Sequence, residues 1–166
     1  MHVIPEALVE ETWREVGSLT PDQAIQEMEH LGKRQPELVR FMLELTQDLG
    51  GEGHELAFYV FFVVVRMFEK DHGGKIRKIP AAKIIKSFEA NQDQMERLAL
   101  AHERFLERIA ETEFWEQPYV LKYVVEALME APEGDDPVQL SEEDFGLIFL
   151  LLKTVIDVLQ QATDTK

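Results

Sequence analysis

QPELVRFMLE at residues 35–44 returns as QPYVLKYVVE at residues 117–126, with three of the ten positions identical, six exchanged conservatively and one different. A second match follows each copy. FYVFFVVVR at 58–66 lines up with FGLIFLLLK at 145–153 through two identities, Arg against Lys, and five apolar exchanges. The offsets of 82 and 87 residues differ by five, an insertion that a connecting loop absorbs. The chain therefore reads as two related halves, and a repeat is to be settled before any finer reading.

The repeat also decides the secondary structure of its most ambiguous segment. LAFYVFFVVVRMF, residues 56–68, is rich in aromatic and β-branched residues that favour a strand. Its counterpart opens with Ser141-Glu142-Glu143-Asp144, a helix-start signature, and runs through FGLIFLLLKTVIDVL to about Gln161, too long for a strand in a compact domain. Both copies are read as helices, apolar nearly all round and central to the fold.

The remaining segments carry helical spacing too. Val9, Thr12, Trp13 and Val16 fall at i, i+3, i+4 and i+7 in a first helix, with Pro5 in its opening turn and Gly17 beyond its end. A second begins at the capping box Thr20-Pro21-Asp22-Gln23, carries Ile25, Met28 and Leu31, and stops at Gly32. Pro36 starts a third, with Leu38, Phe41, Met42, Leu45 and Leu49 on its apolar face and Gly50-Gly51 closing it. After Gly73-Gly74 a bridge is expected, with a short helix from Pro80 bearing Ile84, Ile85 and Phe88. A longer helix from about Asn91 to Glu111 then carries Met95, Leu98, His102, Phe105 and Ile109. The expected fold is all-α: one domain over residues 1–166, a bundle of about seven to eight helices built from two pseudo-twofold-related repeats. Half one covers about 20–72, the bridge 73–90, and half two about 91–161.

Composition excludes several classes of function. The absence of cysteine removes disulfides, thiolate nucleophiles and Cys-ligated metals, and suits a reducing cytoplasm. The opening residues lack the charged and apolar regions of a secretory signal. The longest uncharged apolar stretches, 56–65 and 145–152, are far short of the roughly 18 to 20 residues a membrane helix requires, so no membrane association is expected. A formal charge of −15, from 17 basic and 32 acidic residues, repels nucleic acid.

Motifs for catalysis are absent: there is no nucleophile elbow, phosphate loop, dinucleotide fingerprint or zinc motif. No catalytic residue, metal or cofactor is assigned. Glu-x-x-His occurs at 27–30 and 69–72, the spacing of di-iron carboxylate bundles. His30, however, lies off the apolar stripe of its helix, and His72 stands at a helix end where the dipole favours it.

Three features remain as candidates. His102 sits in the apolar seam of its helix, where an imidazole needs a partner. The aromatic group Phe114, Trp115, Tyr119 and Tyr123 falls at a helix junction that the repeat sets opposite Lys33-Arg34, and offers a groove for an apolar ligand or partner helix. The basic bridge, with Lys75, Arg77, Lys78, Lys83 and Lys86, would face an anion or pair with the acidic loop near 130–136. The reading that follows is a non-enzymatic scaffold or adaptor that binds a protein partner or itself. The alternative is a sensor for a small apolar ligand or a metal, using the aromatic corner and His102.

Overall fold

Proline stands at or just ahead of the first residue of five helices, because its fixed φ suits the first turn and its missing N–H has no intrahelical partner to lose. The computed structural model describes residues 2–101, 116–129 and 141–164, and within them the side chains of all but 97–101 and 142. Among the described residues there are seven helices and no strand. They are α1 (Glu6–Gly17), α2 (Pro21–Arg34), α3 (Pro36–Leu45), α4 (Gly51–His72), α5 (Ala81–Ala101), α6 (Pro118–Met129) and α7 (Glu142–Asp164).

The ends of these helices show the expected chemistry. Thr20 Oγ1 accepts from Gln23 N at 3.2 Å while Thr20 N donates to Gln23 Oε1 at 3.0 Å, a closed capping box. Ser141 Oγ accepts from Asp144 N at the start of α7. Gly73 closes α4 at φ 81, a left-handed conformation that a Cβ would strain, and its N–H and that of Gly74 both reach Glu69 O.

Helices α4 and α7 pack on each other and form the centre. Val60, Phe61, Val63, Val64 and Met67 of α4 are fully buried, as are Ile148, Leu151, Leu152, Val155 and Leu159 of α7. Around them, α1 packs on α4 and α6, α5 packs on α7 and α3, and α6 packs on α4 and α7. Within Glu143–Asp164 an 18-residue window has a mean hydropathy of 1.6 and is apolar enough to span a bilayer, yet 72% of that window is buried in the fold. Its apolar surface is used as core.

Four expectations need correction. Helix α2 runs on through Gly32 to Arg34 instead of stopping at the glycine. Helix α3 ends at Leu45 rather than at Gly50-Gly51, because Thr46 Oγ1 turns back to Met42 O at 2.6 Å and pairs with His54 Nδ1 at 2.9 Å, fixing a turn. Gly50 caps the start of α4 instead. The short bridge helix and the long helix after Asn91 are one continuous α5, since Asn91 does not break it. Its buried amide donates to Asp157 Oδ2 at 2.9 Å and Thr154 Oγ1 at 3.3 Å, so α7 satisfies the polar group. Ile25, expected in the inner stripe of α2, is 59% exposed, because α2 packs chiefly on α3 and buries only Leu31 among the residues described in it.

Two extended segments, residues 2–5 and 75–80, each end in Ile-Pro and lead into α1 and α5. Each is held by a buried glutamine that precedes a helix-starting proline. Gln117 Oε1 accepts from Ile4 N at 2.9 Å, and Gln117 Nε2 donates to His2 O at 2.9 Å and to Gln160 Oε1. Gln35 Oε1 accepts from Ile79 N at 3.0 Å, and Gln35 Nε2 donates to Arg77 O at 2.9 Å and Ile76 O at 3.2 Å. These are the two glutamines that open the matched segments of the sequence. Each amide supplies the donor and acceptor that an extended backbone with no neighbouring strand lacks.

Ion pairs tie α1 and α2 to α4. Arg34 makes a two-pronged contact with the buried Glu69, at 2.7 and 3.0 Å. Lys70 Nζ reaches Glu15 at 2.7 Å and Glu11 at 3.2 Å. The hydrogen bond to Lys70 holds the Glu15 carboxyl below the usual glutamate range, and the same bond raises Lys70 above the usual lysine range. A depressed carboxylate stabilises the fold above its unfolded pKa, and that contribution is lost as pH falls through the folded value. With Glu15 half-exposed the pair is worth about 0.2–1 kcal/mol. Lys70→Met should lower stability by that amount at neutral pH, and the difference from the parent should close in acid, as read by urea melts at two pH values.

Candidate functional site

Three helices turn a stripe of the same spacing toward one space. On α1 the stripe is Glu6, Val9, Glu10 and Trp13, and on the first turns of α4 it is Glu52, Glu55, Leu56 and Tyr59, both at i, i+3, i+4 and i+7. On α6 it is Tyr119, Lys122, Tyr123, Glu126 and Ala127. Residues at that spacing share one helix face, so each helix contributes a mixed aromatic and acidic surface. Together they line a groove of about 900 Å³.

The floor is apolar, with Val9 and Leu56 buried beneath it. Aromatic rings make the walls: Trp13 is 39% exposed, Tyr59 44% and Tyr119 39%, while Tyr123 is half-buried. Burial raises the Tyr59 phenol above its ordinary pKa, and burial followed by the proximity of Tyr59 raises Tyr123 further. Both are neutral hydroxyl groups at physiological pH. Among the described residues that line it, Glu6, Glu10, Glu52, Glu55 and Glu126 stand around the opening against Lys122, whose Nζ lies 3.8 Å from Glu6. Trp13 already lies beneath a cation of its own chain, since the Arg14 guanidinium is 5.5 Å from its ring centroid.

Of the aromatic residues singled out in the sequence, Tyr119 and Tyr123 line this groove. Phe114, Trp115 and His102 lie outside the described residues, as does the acidic loop at 130–136. Trp13 and Tyr59 were not part of the expected site. Trp13 reads as an inner-face residue of α1 and Tyr59 as one ring in an apolar helix, so neither marks a groove alone. The signal that could have found them is the shared i, i+3, i+4, i+7 mixture of Glu and aromatic residues in separate helices.

The basic bridge is divided by the fold. Lys75, Arg77 and Lys78 are exposed on the extended segment, whose Ile76 and Ile79 turn inward. Lys83 and Lys86 stand on α5 beside a second cavity of about 470 Å³, shared with Asn91, Lys153 and Asp157. Within that cavity Lys153 Nζ lies 2.6 Å from Asp157, and Glu116 stands on the same lining as Lys83 and Lys86.

The two Glu-x-x-His pairs do not come together. His30 and His72 are exposed, and Glu69 is taken by Arg34. Among the described residues, no three histidine, aspartate or glutamate side chains converge as metal ligands. His30→Ala should therefore change stability by less than about 0.5 kcal/mol, in urea melts run with and without a chelator. A larger loss abolished by the chelator would contradict the placement of His30. In comparisons with known proteins, the chain matches no family profile, no curated protein and no solved structure, so the functional reading rests on its own geometry.

Proposed function

We propose that the chain is a non-enzymatic helical interaction module, acting in the cytoplasm, that receives a segment of a partner protein in the groove between α1, α4 and α6. The single observation that carries this reading is the cluster of partly exposed aromatic rings, Trp13, Tyr59 and Tyr119, over an apolar floor. Tryptophan and tyrosine bury large area with little loss of side-chain freedom, which is why they concentrate in binding hot spots. The volume lies within the range of recognition pockets.

The scaffold behind the groove is read as a duplicated unit with an approximate twofold relation between its halves. Three observations support this: the two matched segments, the Ile-Pro leader before α1 and before α5, and the reciprocal clamps. Gln35 of the first half holds the segment at 75–80 in the bridge before α5, and Gln117 of the second holds the segment at 2–5 before α1. The packing partners also correspond, with α1 on α4 as α5 is on α7, and α1 on α6 as α5 is on α3. In that scheme Tyr59 and Tyr123 correspond to Gly146 and Phe41, so the symmetry-related position of the groove lacks the Tyr59 ring.

A photo-crosslinking amino acid placed at Tyr119, with a control at the exposed Glu29, tests the groove in the cell that makes the protein. A discrete adduct formed from position 119 and absent from position 29 is the expected result. Equal adducts from both positions, or none from 119, would remove the groove from consideration.

A further inference from the structure

We infer that the occupant of the groove is a basic amphipathic segment of another protein, with Lys or Arg side chains flanking an apolar stripe. This rests on the reading of the groove as an interaction site and adds the chemistry of the partner. The first argument is charge. Among the described residues five glutamates from three helices face one opening, and the one lysine lining it with them already lies near Glu6. Carboxylates brought together this way repel one another, and only a cationic occupant turns that repulsion into attraction.

The second argument is the chemistry of the walls. An indole or phenol ring attracts a cation over its face, and Trp13 already does so with the Arg14 guanidinium. Tyr59 and Tyr123 are kept as neutral phenols, which offer hydroxyl groups and ring faces without adding negative charge. The apolar floor of Val9 and Leu56 asks for aliphatic side chains between the cations. A free small cation would leave that floor uncovered, and an uncharged apolar ligand would leave the carboxylates uncompensated. A segment with both features covers both. The overall charge of −15 adds long-range attraction for such a partner and repels a second copy of this chain.

Binding of three fluorescein-labelled synthetic helices of about five turns, built on one leucine pattern with lysine, glutamine or glutamate at the polar positions, tests this by anisotropy. The leucine–lysine peptide should bind, the leucine–glutamine peptide about tenfold more weakly or worse, and the leucine–glutamate peptide not at all. Glu52→Gln with Glu55→Gln should weaken the lysine peptide by about fivefold or more, while Glu29→Gln with Glu44→Gln, which removes the same charge from exposed sites outside the groove, should change it by less than about twofold. Both double variants alter exposed residues, and their circular dichroism and melting points should match the parent.

Equal binding of the lysine and glutamine peptides would overturn the cationic chemistry and leave the groove standing. Equal losses in the two double variants would show attraction to net charge alone, and would overturn it too. A protein that sediments as an oligomer, and becomes monomeric in the Glu52 and Glu55 variant, would make the occupant a second copy. Failure of every peptide alongside a position-119 adduct would reject this partner class only; failure of both would reject the groove as well.

Discussion

Gln35→Leu is expected to destabilise the protein by roughly 3 to 5 kcal/mol, although the side chain is nearly isosteric and touches no proposed ligand. The substitution removes the acceptor of the Ile79 N–H and the donor to the Ile76 and Arg77 carbonyls in a buried setting. A buried polar group left without its partner loses about 1–3 kcal/mol, and three groups share this one amide. Gln117→Leu should cost a similar amount, since it strips Ile4 N, His2 O and Gln160 of the corresponding contacts. Gln94→Leu, at an exposed position of α5, should cost less than about 0.5 kcal/mol. Losses under about 1 kcal/mol for both buried glutamines, in urea melts, would mean that water replaces the amides and that the clamps do not hold the leaders.

The second large effect is expected in the centre of the bundle. Phe62 and Phe149 are buried and occupy matched positions of α4 and α7. Truncating either to alanine removes a large ring from a packed interior, at a cost of about 3 to 5 kcal/mol. The duplicated reading adds a stronger requirement, that the two costs agree to within about 1 kcal/mol. A difference of several kcal/mol would break the equivalence of the two helices while leaving the all-α fold intact.

How much of this was legible in the sequence depended on the range of the interaction. Helix starts were readable because a cap or a proline acts within one turn: Thr20 and Gln23 met as their spacing required, and Ser141 bonded Asp144. The central position of residues 56–68 followed from their unbroken apolar content once the second copy had excluded a strand. Asn91 misled for the opposite reason. An asparagine favours breaks and turns when only its neighbours are considered, and its actual partners, Thr154 and Asp157, are 63 and 66 residues away. The role of Gln35 and Gln117 was illegible on the same ground, although their recurrence was the first thing the chain displayed. Only half the groove was legible. Tyr119 and Tyr123 were visible as an aromatic cluster, but Trp13 and Tyr59 join them only where three separate helices converge.

The two glutamine clamps differ in one respect that concerns the making of the protein. Ile79 and Gln35 lie 44 residues apart, so that contact can close while the chain is still being synthesised. Ile4 and Gln117 are 113 residues apart. The longer closure costs only about 0.8 kcal/mol more in chain entropy, so the distinction is one of timing more than of equilibrium. During translation the α1 leader emerges long before the residue that fastens it, and α1 meets α4 while its leading segment is still loose. The groove, which needs α1 and α6 together, is therefore a late product of synthesis. A ribosome stalled before residue 117 would display the α1 and α4 walls without the Tyr119 and Tyr123 rings that complete the groove.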